Sequence, residues 1–102
     1  MVSLQAAIAA IALSGVGQTV LLDFYADWCG PCKAMNPTVQ ALISAGYPVQ
    51  RVNIDQNKPL AAKYRVQSIP CFVMVVNGRE VDRAVGGTTF SRLERMCQLA
   101  SA

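Results

Sequence analysis

The apolar positions of this chain fall into short continuous runs and longer periodic ones. Val20-Leu21-Leu22-Asp23-Phe24-Tyr25 and Cys71-Phe72-Val73-Met74-Val75-Val76 are almost unbroken, the pattern of strands buried on both faces. A further strand is predicted over 49–54. Asn77-Gly78 is a strong hairpin signal joining 71–76 to a partner strand over roughly 79–85. Helical spacing governs the rest. Phe90, Leu93, Met96 or Cys97, and Ala100 form one stripe of a helix over about 89–100. Leu4, Ile8 and Ile11 share a face in the Ala-rich stretch from Val2 to Leu13, and Gly15-Val16-Gly17-Gln18 turns from it into strand 20–25. A helix should run from about Pro31, well placed in a first turn, to Ala45, with Gly46 ending it. Pro37 inside that helix should kink it. Asn57 is a candidate N-cap for a short helix over 59–64 that has Pro59 near its start. The order is a βαβ half, whose crossover should be right-handed, followed by a ββα half. Such an order places helices on both faces of a mixed sheet.

The 102 residues suit one domain, 1–102, and 53% apolar with 15% charged residues argue for a filled core rather than disorder. The net charge is +3, and the basic residues are scattered rather than clustered, so a nucleic-acid partner is not expected. The apolar stretch 2–13 lacks a basic flank and is too short to span a bilayer. It is read as a packed helix. The alternatives are a remnant of a signal sequence, or a domain cut from a longer protein to which Met1 was added.

The chemistry lies in Trp28-Cys29-Gly30-Pro31-Cys32, at the junction of strand 20–25 and the following helix. Two cysteines at this spacing come within disulfide reach when the segment starts a helix, and a C-x-x-C in this context reads as a redox dithiol. Free N–H groups at the helix start favour the thiolate of Cys29, making it the attacking residue and Cys32 the resolving one. The bland alternatives are two reduced core cysteines or half of a metal site. The chain has no histidine and no second C-x-x-C, which argues against zinc, and Cys71 and Cys97 stand alone. Asp23 interrupts a core strand, and a buried carboxylate with a raised pKa should have a task.

From about Val20 to Ala100 the chain resembles the thioredoxin family. The motifs that carry the likeness occur in the family's order: Asp23-Phe24, Trp28-Cys29-Gly30-Pro31-Cys32-Lys33, Pro37, Val52-Asn53-Ile54-Asp55, Ile69-Pro70, Asn77-Gly78 and Val85-Gly86-Gly87. The resemblance implies an α/β, three-layer, thioredoxin-like fold. Its central mixed sheet should have four strands, because no candidate precedes Val20 for the family's first edge strand. Segment 49–54 would then be an exposed edge.

The resemblance also implies site roles. Cys29 would attack a substrate disulfide and Cys32 would resolve the mixed disulfide, with Asp23 behind Cys32 taking its proton through water. Arg51 stands where the family usually has lysine, and holds Asp23 more strongly as the anion. Pro70 would be cis and face the dithiol, with Ile69 offering its backbone to an extended substrate. Trp28, Ile69, Pro70, Gly86 and Gly87 would form a flat apolar patch around Cys29. Gly30 would allow close approach, and Pro31 would stiffen the loop.

Cys71 departs from the family's usual threonine. It is read as a small core residue, against a regulatory thiol or a three-cysteine metal or cluster site with Cys29 and Cys32. Cys97 is read as core on the last helix.

The leading expectation is a monomeric thiol-disulfide oxidoreductase that reduces protein disulfides and is recharged by a thioredoxin reductase or equivalent donor. It would need no cofactor beyond the Cys29–Cys32 disulfide, no metal and no membrane, and would be cytoplasmic. A redox or binding module of a larger, periplasmic or otherwise extracytoplasmic protein is the alternative, as is an oxidase or isomerase.

Overall fold

The computed structural model describes residues 18–101. The expected helix over 2–13, and with it the place of the family's additional strand, lies outside them. The elements are β1 (Thr19–Tyr25), α1 (Gly30–Ala34), α2 (Asn36–Ser44), β2 (Val49–Asn53), α3 (Lys58–Lys63), β3 (Cys71–Val76), β4 (Arg79–Val85) and α4 (Phe90–Ala100). They form a four-stranded sheet in the order β2-β1-β3-β4, β1 and β2 parallel and the other pairs antiparallel. Among the described residues β2 is therefore an edge, the place expected for segment 49–54 in a four-stranded sheet.

Alternation along the strands divides the core. Leu22, Phe24, Val52, Cys71, Val73 and Val75 pack with Leu60 of α3 and with Tyr64. Leu21, Phe72, Met74 and Ala84 face the other way, onto Val39 and Leu42 of α2 and Leu93, Met96 and Cys97 of α4. Helix α4 is pinned by this stripe and capped by Thr89, whose side chain accepts from the Arg92 amide. Asn57 caps α3 in the same way, through Leu60 N–H.

Three backbone details position the site. The single kinked helix expected from 31 to 45 is instead two helices, broken at Met35. Proline at 37 supplies no N–H for the Lys33 carbonyl, and its ring crowds that carbonyl. The chain closes α1 at Met35, whose N–H bonds the Cys32 carbonyl at 3.1 Å, and starts again with Pro37 in the first turn of α2. At the far end of α2, Gly46 takes φ +91° and sends its N–H to Ile43, while Tyr47 N–H reaches back to Leu42. The same pair of bonds ends α3, from Arg65 to Ala62 and Val66 to Ala61, but with arginine at φ +52° in the left-handed position. Asn77 and Gly78 both have positive φ, which closes the β3–β4 hairpin.

A Cβ built on Gly46 meets nothing within 4 Å, so its replacement tests backbone conformation alone. Gly46→Ala should cost about 1 kcal/mol of stability, the penalty for a side chain in the left-handed region. Urea unfolding with an unchanged m-value checks this.

Candidate active site

Strand β1 ends at Tyr25, and the turn Ala26-Asp27-Trp28 delivers Cys29 to the head of α1. Cys29 is the N-cap: its N–H bonds the Ala26 carbonyl at 3.1 Å, and its backbone is extended. Its sulfur takes the acceptor place that serine or aspartate usually fills, receiving the Cys32 amide N–H at 3.2 Å. Cys29 and Cys32 are joined as a disulfide, with their Cα atoms 5.2 Å apart. A thiolate at Cys29 would be a better acceptor for this amide, because a hydrogen bond to a charged acceptor is about twice as strong as to a neutral one. Helix α1 has only 5 residues, so this local donor, rather than the dipole of a long helix, favours the anion.

Both cysteines are buried and pack with Ala26, against Tyr25, Ile54 and Ile69. The Ile69–Pro70 bond is cis. Pro70 is fully buried, so it underlies the surface instead of forming part of it as the sequence suggested. Its carbonyl accepts the Gly86 N–H at 2.8 Å, which ties the Gly86-Gly87 corner to the cis-proline loop. Gly86 has φ +87°, and nothing lies within 4 Å of a Cβ at Gly30, Gly86 or Gly87. Trp28 is 68% exposed, an apolar surface beside the dithiol rather than core filling. Its indole Nε1–H donates to Asp55 Oδ2 at 2.8 Å, and the Asp55 amide donates to Asn53 Oδ1 at 2.9 Å. Asp55 is thus a site residue that pattern reading missed. A polar Asn-x-Asp at the end of an apolar strand was the available signal.

Asp23 is 2% exposed and opposite Arg51 in the β1–β2 register. Its Oδ2 accepts the Arg51 Nε–H at 3.3 Å; among the described residues no hydrogen bond joins it to either sulfur. Burial pushes the carboxyl up to about 6, and Arg51 opposes that shift without cancelling it. The rise expected for a carboxylate interrupting a core strand is what burial produces here, with Arg51 pulling the other way. An open cleft of about 430 Å³, lined by Tyr25, Ala26, Asp27, Cys32, Lys33, Asn36 and Arg51, brings solvent to the Cys32 side of the dithiol.

Cys71 is buried on the α3 face of the sheet, with its sulfur 3.9 Å from Arg83 Nη1. Burial raises its thiol pKa, and Arg83 pulls it back in part. The Arg83 guanidinium also grips Glu80 and the carbonyls of Tyr64 and Arg65, so β4, the end of α3 and Cys71 share one anchor. Cys97 is buried on α4 with its thiol pushed up to about 11 by desolvation, Glu94 adding to the shift. Both are poor nucleophiles in these settings. No group of three or more His, Cys, Asp or Glu side chains among the described residues is arranged to hold a metal.

Comparison with known proteins gives a consistent result. The family model described as Thioredoxin matches residues 7–98. Thioredoxin of Chlamydia caviae is 44% identical over 69 residues, covering 66% of this chain and 68% of that one. Thioredoxin of Porphyra purpurea is 38% identical over 78 residues, 74% of this chain and 73% of that one. Among solved structures, Fasciola hepatica thioredoxin superposes with a TM-score of 0.78 at 34% identity, covering 91% of this chain and 90% of that one. The reduced Schistosoma mansoni thioredoxin pre-protein gives 0.80 at 28% identity, covering 91% and 89%.

The folded carboxyl of Asp23 titrates near 6 against 3.8 in the unfolded chain. Well below pH 3.8 both states carry the proton and the burial costs nothing. As pH rises to 6 the unfolded state ionises first, and stability is lost. Above 6 the loss is complete, at about 3 kcal/mol for a shift of this size. Asp23→Asn should therefore raise stability by up to about 3 kcal/mol at pH 8 and leave it nearly unchanged at pH 3.5. Denaturant melts at the two pH values check both arms.

Proposed function

The chain belongs to the thioredoxin family and is a thiol-disulfide oxidoreductase that reduces protein disulfides; on that premise we propose that Cys29 is its nucleophile, Cys32 its resolving thiol and Asp23 the proton acceptor for Cys32. The observation that carries the assignment is the Cys32 N–H at the Cys29 sulfur, since it favours a thiolate at Cys29. In the reduced protein the Cys29 thiolate attacks one sulfur of a substrate disulfide. That bond breaks, one substrate thiolate leaves, and a mixed disulfide links Cys29 to the other half. Asp23, ionised above pH 6, takes the Cys32 proton through water, and the cleft lined by Cys32 and by the carboxylate's partner Arg51 supports that route. The Cys32 thiolate then attacks the Cys29 sulfur and expels the second substrate thiolate. Two electrons pass to the substrate, and Cys29–Cys32 becomes the disulfide seen here.

The family implies disulfide-bearing substrates and a reductase that returns the electrons. Exposed Trp28, with Ile69 and the open Gly30 and Gly87, supports an apolar docking surface for an extended substrate, backed by cis-Pro70 and Gly86. Gly30 and Pro31 at the turn leave it free of protruding side chains. We assign the chain no cofactor beyond its own dithiol, no metal and no nucleic-acid partner, and take it to act as a monomer in the cytoplasm. The free, buried Cys71 and Cys97 support a reducing compartment. No helix among the described residues is long and apolar enough to cross a membrane.

Cys29→Ser should abolish disulfide reduction, whereas Cys32→Ser should accumulate a mixed disulfide with substrate on Cys29. Intact-mass and peptide mass spectrometry after exposure to a disulfide-bonded protein reads both outcomes. Adducts on Cys32, or none in Cys32→Ser, would reverse or remove the assignment. Cys71→Thr should retain reductase activity within about twofold, and anaerobically purified protein should carry no iron by elemental analysis.

A further inference from the structure

Arg51 is held by more than its ion pair. Its Nε–H reaches Asp23 at 3.3 Å, at the long end of the hydrogen-bond range, and its side chain is 37% exposed. An arginine so exposed gives up much rotamer freedom to stay in one place, and a partly exposed pair alone contributes little. Two further contacts fix it. Nη2–H donates to Asn36 Oδ1 at 2.8 Å, and the guanidinium lies 4.4 Å from the centre of the Tyr25 ring. Asn36 is the first residue of α2, placed there by the break that Pro37 forces behind α1. The residue that clamps Arg51 thus opens the helix that follows the one carrying Cys32.

We propose that Asn36 is a positioning residue for the resolving step: with the Tyr25 ring it holds the Arg51 guanidinium against Asp23, and so sets the pH range over which Cys32 can give up its proton. The inference rests on Asp23 being the proton acceptor, as assigned above. The charged and titratable groups around this acceptor are few. Arg51 from β2 bonds it directly; Cys32 and Lys33 from α1, Asp27 from the preceding loop and Tyr25 from β1 line the adjoining cleft. On its other side β3 offers Phe72 in register. Among the described residues Arg51 is the one cation bonded to the Asp23 carboxylate, and the geometry makes its placement depend on Asn36. Loosening Arg51 removes a favourable charge from the ionised form of Asp23. The acid limb of the resolving rate must then move to higher pH.

The test follows resolution of a mixed disulfide on Cys29, formed with an aromatic disulfide reagent, as a function of pH in the full chain. In Asn36→Ala the acid limb should move up by about half a pH unit, about a threefold slower rate at a fixed pH below it. In an Arg51→Gln background, whose own limb should move up at least as far, Asn36→Ala should add nothing. A profile for Asn36→Ala that superimposes on wild type overturns the inference, as does an equal shift with and without Arg51. Asp23→Asn separates the two levels. If it flattens the limb while Asn36→Ala leaves it in place, this inference fails alone. If Asp23→Asn leaves the limb intact, the role of Asp23 fails and this inference with it.

Discussion

A sulfur standing where a helix needs an acceptor is the constraint around which the site is organised. The first amides of any helix lack partners within it, and here the Cys29 side chain supplies one for Cys32. That single bond fixes the rotamer of Cys29 and places Cys32 one turn on. It also puts a polarised N–H on the atom proposed to carry negative charge in the reduced protein. The sheet holds the arrangement still: Tyr25, Ile54 and Ile69, from three different segments, pack the dithiol from the side.

On the roles proposed above, the rest of the site manages the proton and the substrate. Asp23 is almost fully buried in the sheet, which makes its ionisation costly for folding. Arg51 offsets only part of that cost. A carboxyl that stayed fully ionised through ordinary acid pH would be a weaker proton acceptor than one poised near neutrality. Burial, rather than charge pairing, produces that poise. The proline at 37 contributes indirectly: by stopping α1 after five residues it frees the chain to turn and presents Asn36 toward Arg51.

Much of this was legible from the order of residues, for physical reasons. Continuous apolar runs have few alternatives to buried strands, Asn77-Gly78 has the φ preferences of a hairpin, and Gly46 marks a helix end. Two helix details were not legible. A lone proline does not reveal whether a helix bends or stops, and nothing in Lys63-Tyr64-Arg65-Val66 announces a left-handed arginine. In the site, the cysteine pair and the buried aspartate could be read, because each breaks a pattern or forms a motif. The pairings Trp28–Asp55 and Arg51–Asn36 could not, since they join side chains 27 and 15 residues apart that follow no shared periodicity. Only the fold brings such partners together.

The central claim is that this geometry serves reduction: the Cys29 thiolate is favoured enough to attack, yet the dithiol still gives up its electrons. Equilibrating the Cys29–Cys32 couple against glutathione or a reference dithiol measures that balance directly. The account predicts a reducing potential of about −270 mV, the value general to thioredoxins rather than one read from these distances. A value near −120 mV, at which the couple would oxidise its partners, would contradict it.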